Sequence, residues 1–298
     1  MEPLAGIYPP IATAFTEDGK LSPTHLESNL AKWVSAPLDG VVTPGSNSES
    51  AYLADDERIE IWEICSRALH GTGKRLIAGT GVETTAATVT LSKRAADCGA
   101  DAVLVQPPHF FRAQMNHSAL VAYFETVADG SPVPVLLYNA PAFTGVDLQV
   151  ETIVALAAHD NIAGLKDSGV SVVRAARVLA AAPDFLVFSG TGSALIPFLS
   201  LGGAGGIMAL ANIAPAALRE LMETFKAGDG PRAASLQVAL AEINTAITSR
   251  YGVPGLKHAM ERVGLYGGPP RAPLQPLPDA AAREIDRLIE TANIPTLK

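Results

Sequence analysis

Asn161-Ile162-Ala163-Gly164-Leu165-Lys166-Asp167-Ser168 is a short apolar run that ends abruptly in a lysine and then turns polar. The other seven lysines, Lys20, Lys32, Lys74, Lys93, Lys226, Lys257 and Lys298, sit in charged, helix-like or turn-like surroundings. Only Lys166 closes an apolar strand. Burial disfavours the charged ammonium, and a neutral amine is a nucleophile that condenses with a carbonyl to a Schiff base. The bland alternative is a strand-end lysine snorkelling to solvent. The rest of the chain decides between the two.

Upstream and downstream of this stretch the same unit repeats. Strands are expected over Gly6 to Phe15, Gly40 to Thr43, Arg75 to Gly79, Ala102 to Gln106, Val133 to Tyr138, Ile162 to Leu165, Phe185 to Phe188 and Gly205 to Met208. Helical patterns follow each of them, the last over Pro215 to Phe225. Eight strand-then-helix rounds within residues 1–226 are the size of a closed parallel (β/α)8 TIM barrel. A doubly wound open sheet would carry a glycine fingerprint after its first strand, and none is present. Residues 227–298 hold three more helical patterns, over Gly230 to Ser249, Pro254 to Val263 and Pro278 to Thr291. Three helices without a sheet are few for an independent domain, so a C-terminal helical extension packed on the barrel is expected.

Composition narrows the class. Of 298 residues, 48% are hydrophobic and 17% charged, which implies a substantial core. The net charge of −8 argues against a nucleic-acid surface. Cys65 and Cys98 lie in helical patterns and read as buried free thiols. The six histidines are scattered, with no metal-ligand spacing, so no metal site is expected. No charge occurs between Asp184 and Arg219, but glycines, Asn212 and Pro215 interrupt that stretch, so two buried strands fit it better than a membrane span. The first residues show no basic or apolar leader, and the expected location is cytoplasmic.

In such barrels the chemistry sits at the C-terminal ends of the strands. Tyr138 and Lys166 would cap neighbouring strands, and a phenol beside an amine can move protons on and off a carbonyl oxygen. Gly45-Ser46-Asn47, before a helix, offers backbone N–H groups and a hydroxyl to a carboxylate. Ser168, Gly190 of Gly190-Thr191-Gly192-Ser193, and Ile207 near the end of the eighth strand complete the rim. A phosphate cradle at the late glycines is less favoured, because no Lys or Arg is near them before Arg219.

Five short motifs in this order, Gly45-Ser-Asn-Ser-Glu49, Tyr138-Asn-Ala-Pro141, Thr144-Gly145, Gly164-Leu-Lys-Asp-Ser168 and Gly205-Gly-Ile207, resemble the dihydrodipicolinate synthase / N-acetylneuraminate lyase superfamily of Schiff-base aldolases. The likeness runs from Gly6 to about Leu277. Gly6-Ile-Tyr-Pro-Pro10, Ala119-Leu120, Gly255-Leu-Lys257 and Gly267-Gly-Pro269 with Arg271-Ala-Pro-Leu-Gln275 look most like its 4-hydroxy-2-oxoglutarate aldolases. The resemblance implies that Lys166 forms the Schiff base with a 2-oxo acid and that Tyr138 transfers protons. It also implies that Ser46 and Asn47 hold the substrate carboxylate and that Ser168 meets the distal end. It implies a homotetramer built as a dimer of dimers, without cofactor.

Three departures stand out. Phe143 replaces the arginine that dihydrodipicolinate synthases use for their second substrate, which disfavours that reaction. Phe110-Phe111 replaces a tyrosine pair, leaving His109 or water as the possible relay. Ser48 stands where glycine is usual, which would tighten the carboxylate loop. The expected activity is cleavage of a short 2-oxo acid, such as 4-hydroxy-2-oxoglutarate or a 2-keto-3-deoxy sugar acid, to pyruvate and an aldehyde. A 2-keto-3-deoxy sugar acid dehydratase, a dihydrodipicolinate synthase and a non-catalytic 2-oxo-acid-binding paralogue are the alternatives.

Overall fold

A computed structural model describes residues 4–297. Its strands are β1 (Gly6–Tyr8), β2 (Gly40–Thr43), β3 (Arg75–Gly79), β4 (Ala102–Val105), β5 (Val135–Asn139), β6 (Ile162–Asp167), β7 (Leu186–Ser189) and β8 (Gly205–Ile207). All seven strand pairings are parallel, in the order β1-β8-β7-β6-β5-β4-β3-β2. Backbone bonds from Asp39 N to Ile7 O (3.1 Å) and from Val42 N to Pro9 O (2.9 Å) join the two ends into a barrel. The helices between strands are α1 (Pro23–Ser35), α2 (Asp55–Leu69), α3 (Thr85–Asp97), α4 (His117–Gly130), α5 (Pro141–Thr144), α6 (Val150–Leu156), α7 (Val172–Ala181) and α8 (Leu195–Ser200), with α9 (Pro215–Lys226) after the last strand. The extension holds α10 (Gly230–Thr245), α11 (Gly252–Arg262) and α12 (Asp279–Thr291). Among the described residues no helix is long and apolar enough to cross a membrane.

Strand parity sets up the site. Successive side chains on a strand face opposite ways. Val135 and Leu137 of β5, Leu165 of β6 and Val187 of β7 join the outer core under the helices. Leu136, Tyr138, Phe188 and Ile207 fill a separate cluster inside the barrel. Lys166 stands two residues after Gly164 and shares its inward face. A side chain at Gly164 would come within 2.4 Å of the Leu186 carbonyl oxygen and 3.1 Å of Leu136, so glycine is required below the lysine.

Helix starts follow the sequence. Thr84, Asn116, Ser171 and Asp229 each accept a hydrogen bond from the third following residue's N–H and cap α3, α4, α7 and α10. Glu57 reaches back to the Ala54 N–H at the start of α2.

Three expectations need correction. The first strand stops at Tyr8 rather than Phe15, because Pro9 and Pro10 have no N–H to give a ladder. The helix expected to run to Ser249 ends at Thr245 and widens into a π-turn over Ala246–Arg250. Cys65 is fully buried, and burial pushes its thiol up to about 12; Cys98, however, caps the end of α3 and is only half-buried.

Candidate active site

β5 and β6 pair with Tyr138 opposite Lys166, so both inward-facing side chains rise to the barrel mouth at the same level. Lys166 is 2% exposed, and its Nζ lies 4.1 Å from the centre of the Tyr138 ring. Among the described residues no carboxylate pairs with it. The amino group is thus held inside the mouth rather than sent to solvent. Tyr138 Oη is 3.1 Å from Ser46 Oγ. Burial pushes the phenol's pKa up; the charge on Lys166 and hydrogen bonding with Ser46, Ser168 and Lys166 outweigh burial, and the net shift is downward.

A cavity of about 440 Å³ opens over these groups, within the usual range for a small-molecule site. Lys166, Tyr138, Ser46, Asn47, Ser168 and Gly190 all line it. A Cβ at Gly190 would fall 2.2 Å from Ser168 Oγ, so glycine there leaves Ser168 its place. Ile207 is not brought in. It is fully buried in the inner cluster, and Ala209, two residues on, reaches the cavity instead. Thr80 turns outward and hydrogen-bonds Ser92 of α3 at 3.0 Å.

The loop after β2 is pinned from below. Ser48 Oγ accepts from Gly45 N (3.0 Å) and donates to the Ile11 carbonyl, and Thr13 Oγ1 donates to Ser48 O (2.6 Å). This consumes the Gly45 N–H expected at the substrate. The N–H groups of Ser46 and Asn47, in the first positions of a single 3-10 turn, are left without an intrahelical acceptor. Serine in place of glycine therefore does tighten this loop, through its hydroxyl.

Two buried networks around the site escaped sequence reasoning. Asn139 and Asp167 follow the reactive pair on the outward face. Asn139 Nδ2 donates to Asp167 (3.0 Å), and Arg174 binds Asp167 (3.1 Å to each oxygen) and Asp147 (2.6 Å to each). These bonds hold the ends of β5 and β6 in register beside Tyr138 and Lys166. The second network centres on Lys257 of α11, one of the lysines with helix-like neighbours. It is 2% exposed, 2.8 Å from Glu49 Oε1, and donates to Pro269 O at 2.7 Å. Arg271 N donates to Glu49 Oε2 (2.7 Å), and the Arg271 guanidinium lies 4.1 Å from the Phe15 ring centre. Glu49 ends the carboxylate loop in a left-handed conformation, φ 58°, uncommon for such a residue. The α11 lysine and the Arg271 loop thus clamp the loop that carries Ser46 and Asn47. The shared register of Asn139 and Asp167 was a usable signal in the sequence; nothing local to Lys257 was.

Phe143 stands at the cavity mouth, 70% exposed. Phe110 and Phe111 are 78% and 68% exposed and pack edge to face 5.1 Å apart, outside the cavity lining. His109 Nδ1 lies 2.8 Å from Glu83 Oε1, and Glu83 also accepts from the backbone N–H groups of His109 and Phe110. His109 is thereby held on the loop and does not line the cavity.

Comparison with known proteins places this arrangement. A model of the dihydrodipicolinate synthetase family matches residues 3–292. A 4-hydroxy-tetrahydrodipicolinate synthase of Methanococcoides burtonii is 34% identical, over 91% of this chain and 92% of its own. A probable mitochondrial 4-hydroxy-2-oxoglutarate aldolase of Emericella nidulans is 36% identical, over 90% and 88%. A solved prophage protein of the dihydrodipicolinic acid synthase family from E. coli K12, in complex with pyruvate, superposes with a TM-score of 0.91 at 30% identity, over 98% of this chain and 99% of that one. With its motifs gathered at the mouth of one parallel barrel and its match extending over nearly the whole sequence, the chain belongs to the dihydrodipicolinate synthetase family of lyases.

Proposed function

We propose that this lyase cleaves a short 2-oxo acid to pyruvate and an aldehyde through a Schiff base on Lys166. One observation carries the reading: a buried amine without a carboxylate partner, over a phenol that is itself hydrogen-bonded to Ser46. Lys166 Nζ attacks C2 of the substrate. Tyr138 gives the carbonyl oxygen one proton and relays a second to it from the attacking nitrogen; the oxygen leaves as water, the protonated imine remains and Tyr138 is left as the phenolate. Ser46 and Asn47 hold the C1 carboxylate. The Tyr138 phenolate takes the C4 hydroxyl proton, the C3–C4 electron pair moves into the imine, and the aldehyde departs. The resulting enamine takes a proton at C3, and water releases pyruvate and the free amine.

A dihydrodipicolinate synthase reading has support in the names of several relatives. Against it, Phe143 occupies the place where the resemblance expects an arginine for the second substrate, and no arginine is among the residues lining the cavity. The exposed, edge-to-face pair Phe110 and Phe111 gives an apolar surface suited to a second copy of the chain, in keeping with the tetramer that the resemblance implies; sedimentation would read it.

The test is incubation with pyruvate, reduction with borohydride and intact-mass measurement. The proposal expects one reduced pyruvyl adduct per chain. A folded protein that gains no mass favours a non-catalytic binding barrel.

A further inference from the structure

The outer wall of the cavity comes from the extension, and its hydrogen-bond polarity can be worked out. Asn244 of α10 is the key. Its Oδ1 accepts from the Gly192 backbone N–H (3.1 Å), a group that can only donate, so the amide orientation is fixed. Its Nδ2 therefore donates, to Thr191 Oγ1 (2.9 Å) and Ser193 Oγ (2.8 Å). A hydroxyl has one proton and two lone pairs. Thr191 and Ser193 receive a bond from Asn244 and keep their protons for something else. On the facing turn the polarity is opposite. Thr245 Oγ1 donates to Ala241 O (2.9 Å) and Thr248 Oγ1 to Asn244 O (2.6 Å), so both keep lone pairs. The π-turn over Ala246–Arg250 widens the helix here, as such turns often do at functional sites. Asn244, Thr191, Ser193, Thr245 and Thr248 line the cavity that Lys166 opens into, and among the described residues Lys166 is the only charged one lining it.

We infer that this wall is the subsite for the substrate's distal end, and that it takes a neutral, hydroxylated tail rather than a second carboxylate. Two donors and two acceptors on one neutral surface match hydroxyl groups, each of which both gives and accepts. A carboxylate only accepts. It would meet the lone pairs of Thr245 and Thr248 with no cation to balance its charge, and leaving such groups unpaired costs binding. Asn244 is a positioning residue in this account, since it sets which way the Thr191 and Ser193 protons point. The substrate class is then a 2-keto-3-deoxy sugar acid, with its pyruvoyl end at Lys166.

This rests on the imine reading above, so the experiment reads the two separately. Borohydride trapping of pyruvate by the wild-type protein reports the imine without a tail. Pyruvate release is then measured from 2-keto-3-deoxygluconate and from 4-hydroxy-2-oxoglutarate. The sugar acid is expected to have a kcat/KM about a hundredfold higher. Asn244→Asp turns the Thr191 and Ser193 protons toward the new carboxylate; KM for the sugar acid should rise about tenfold while kcat moves little. Thr248→Val, at a half-buried helical position, removes one acceptor without touching the amide and should raise KM severalfold. Trapped pyruvate with equal or better turnover of the dicarboxylate overturns the subsite and leaves the imine standing. Unchanged KM in both variants also overturns it. No trapped adduct overturns the imine reading and the subsite with it.

Discussion

Lys166 at the end of β6 and Lys257 in α11 are each 2% exposed, and each ammonium lies over an aromatic ring, 4.1 Å from the centre of Tyr138 and 4.7 Å from that of Phe15. There the likeness ends. Lys257 has a carboxylate at 2.8 Å and a carbonyl at 2.7 Å, and it is not among the residues that line the Lys166 cavity. Burial pulls its pKa down, and Glu49 opposes the shift without cancelling it. Lys166 has a phenol, no carboxylate and open space above it. A buried cation whose charge is balanced by a neighbour is a structural tie. A buried lysine without such a neighbour, at the floor of a cavity, is free to meet a substrate carbonyl. Burial alone does not tell the two apart; the partner does.

The comparison can be broken most forcefully at its reactive end. Lys166→Met should remove borohydride trapping and lower turnover by about 10⁴-fold or more, since no covalent intermediate can form, while thermal unfolding stays close to wild type. Tyr138→Phe should cost about 10²–10⁴ in kcat, the range for losing a positioned proton-transfer group, with slower imine formation in stopped-flow measurements. The structural lysine should answer oppositely. Lys257→Met strands Glu49 as an uncompensated buried charge and should destabilise by about 3–5 kcal/mol in urea unfolding. The double variant Glu49→Gln/Lys257→Met should recover part of that loss, a coupling that a double-mutant cycle measures.

The smallest effect lies at the edge of the same clamp. Arg271 holds Glu57 through two bonds, at 2.8 and 2.6 Å, and draws its carboxyl pKa below the ordinary value of 4.5. A carboxylate whose folded pKa is depressed stabilises fully above its unfolded pKa, and that contribution is lost as pH falls through the folded value. The stability difference between wild type and Glu57→Gln should therefore be constant above about pH 5 and fade below 4.5. Discounted for partial exposure, it should be under about 1 kcal/mol.

What could be read from the sequence was what depends on neighbours along the chain. The apolar run into Lys166, the adjacent strand ending at Tyr138 and the eight rounds around them are local patterns, and strand parity turned them into a shared inward face. Glu49 and Lys257 are 208 positions apart in the chain, and Lys257 has helix-like neighbours that say nothing of its partner. Arg174 reads as an ordinary helix residue until α7 is docked and its guanidinium meets Asp167 and Asp147. Ile207 sits at the right height, but the inner cluster claims its side chain, and apolar character alone does not separate a packed position from a lining one. The wall built by Asn244, Thr245 and Thr248 was hidden because it arises from a helix of the extension meeting the loop after β7. The missing N–H groups of Pro9 and Pro10 were visible and should have shortened the first strand.

Site-resolved labelling tests the distinction between the two lysines most directly. The protein would be incubated with pyruvate, reduced with borohydride, digested and mapped by tandem mass spectrometry. The account predicts a reduced pyruvyl group on Lys166 and an unmodified Lys257. Label on Lys257, or label spread evenly over several lysines with Lys166 unmodified, would contradict it.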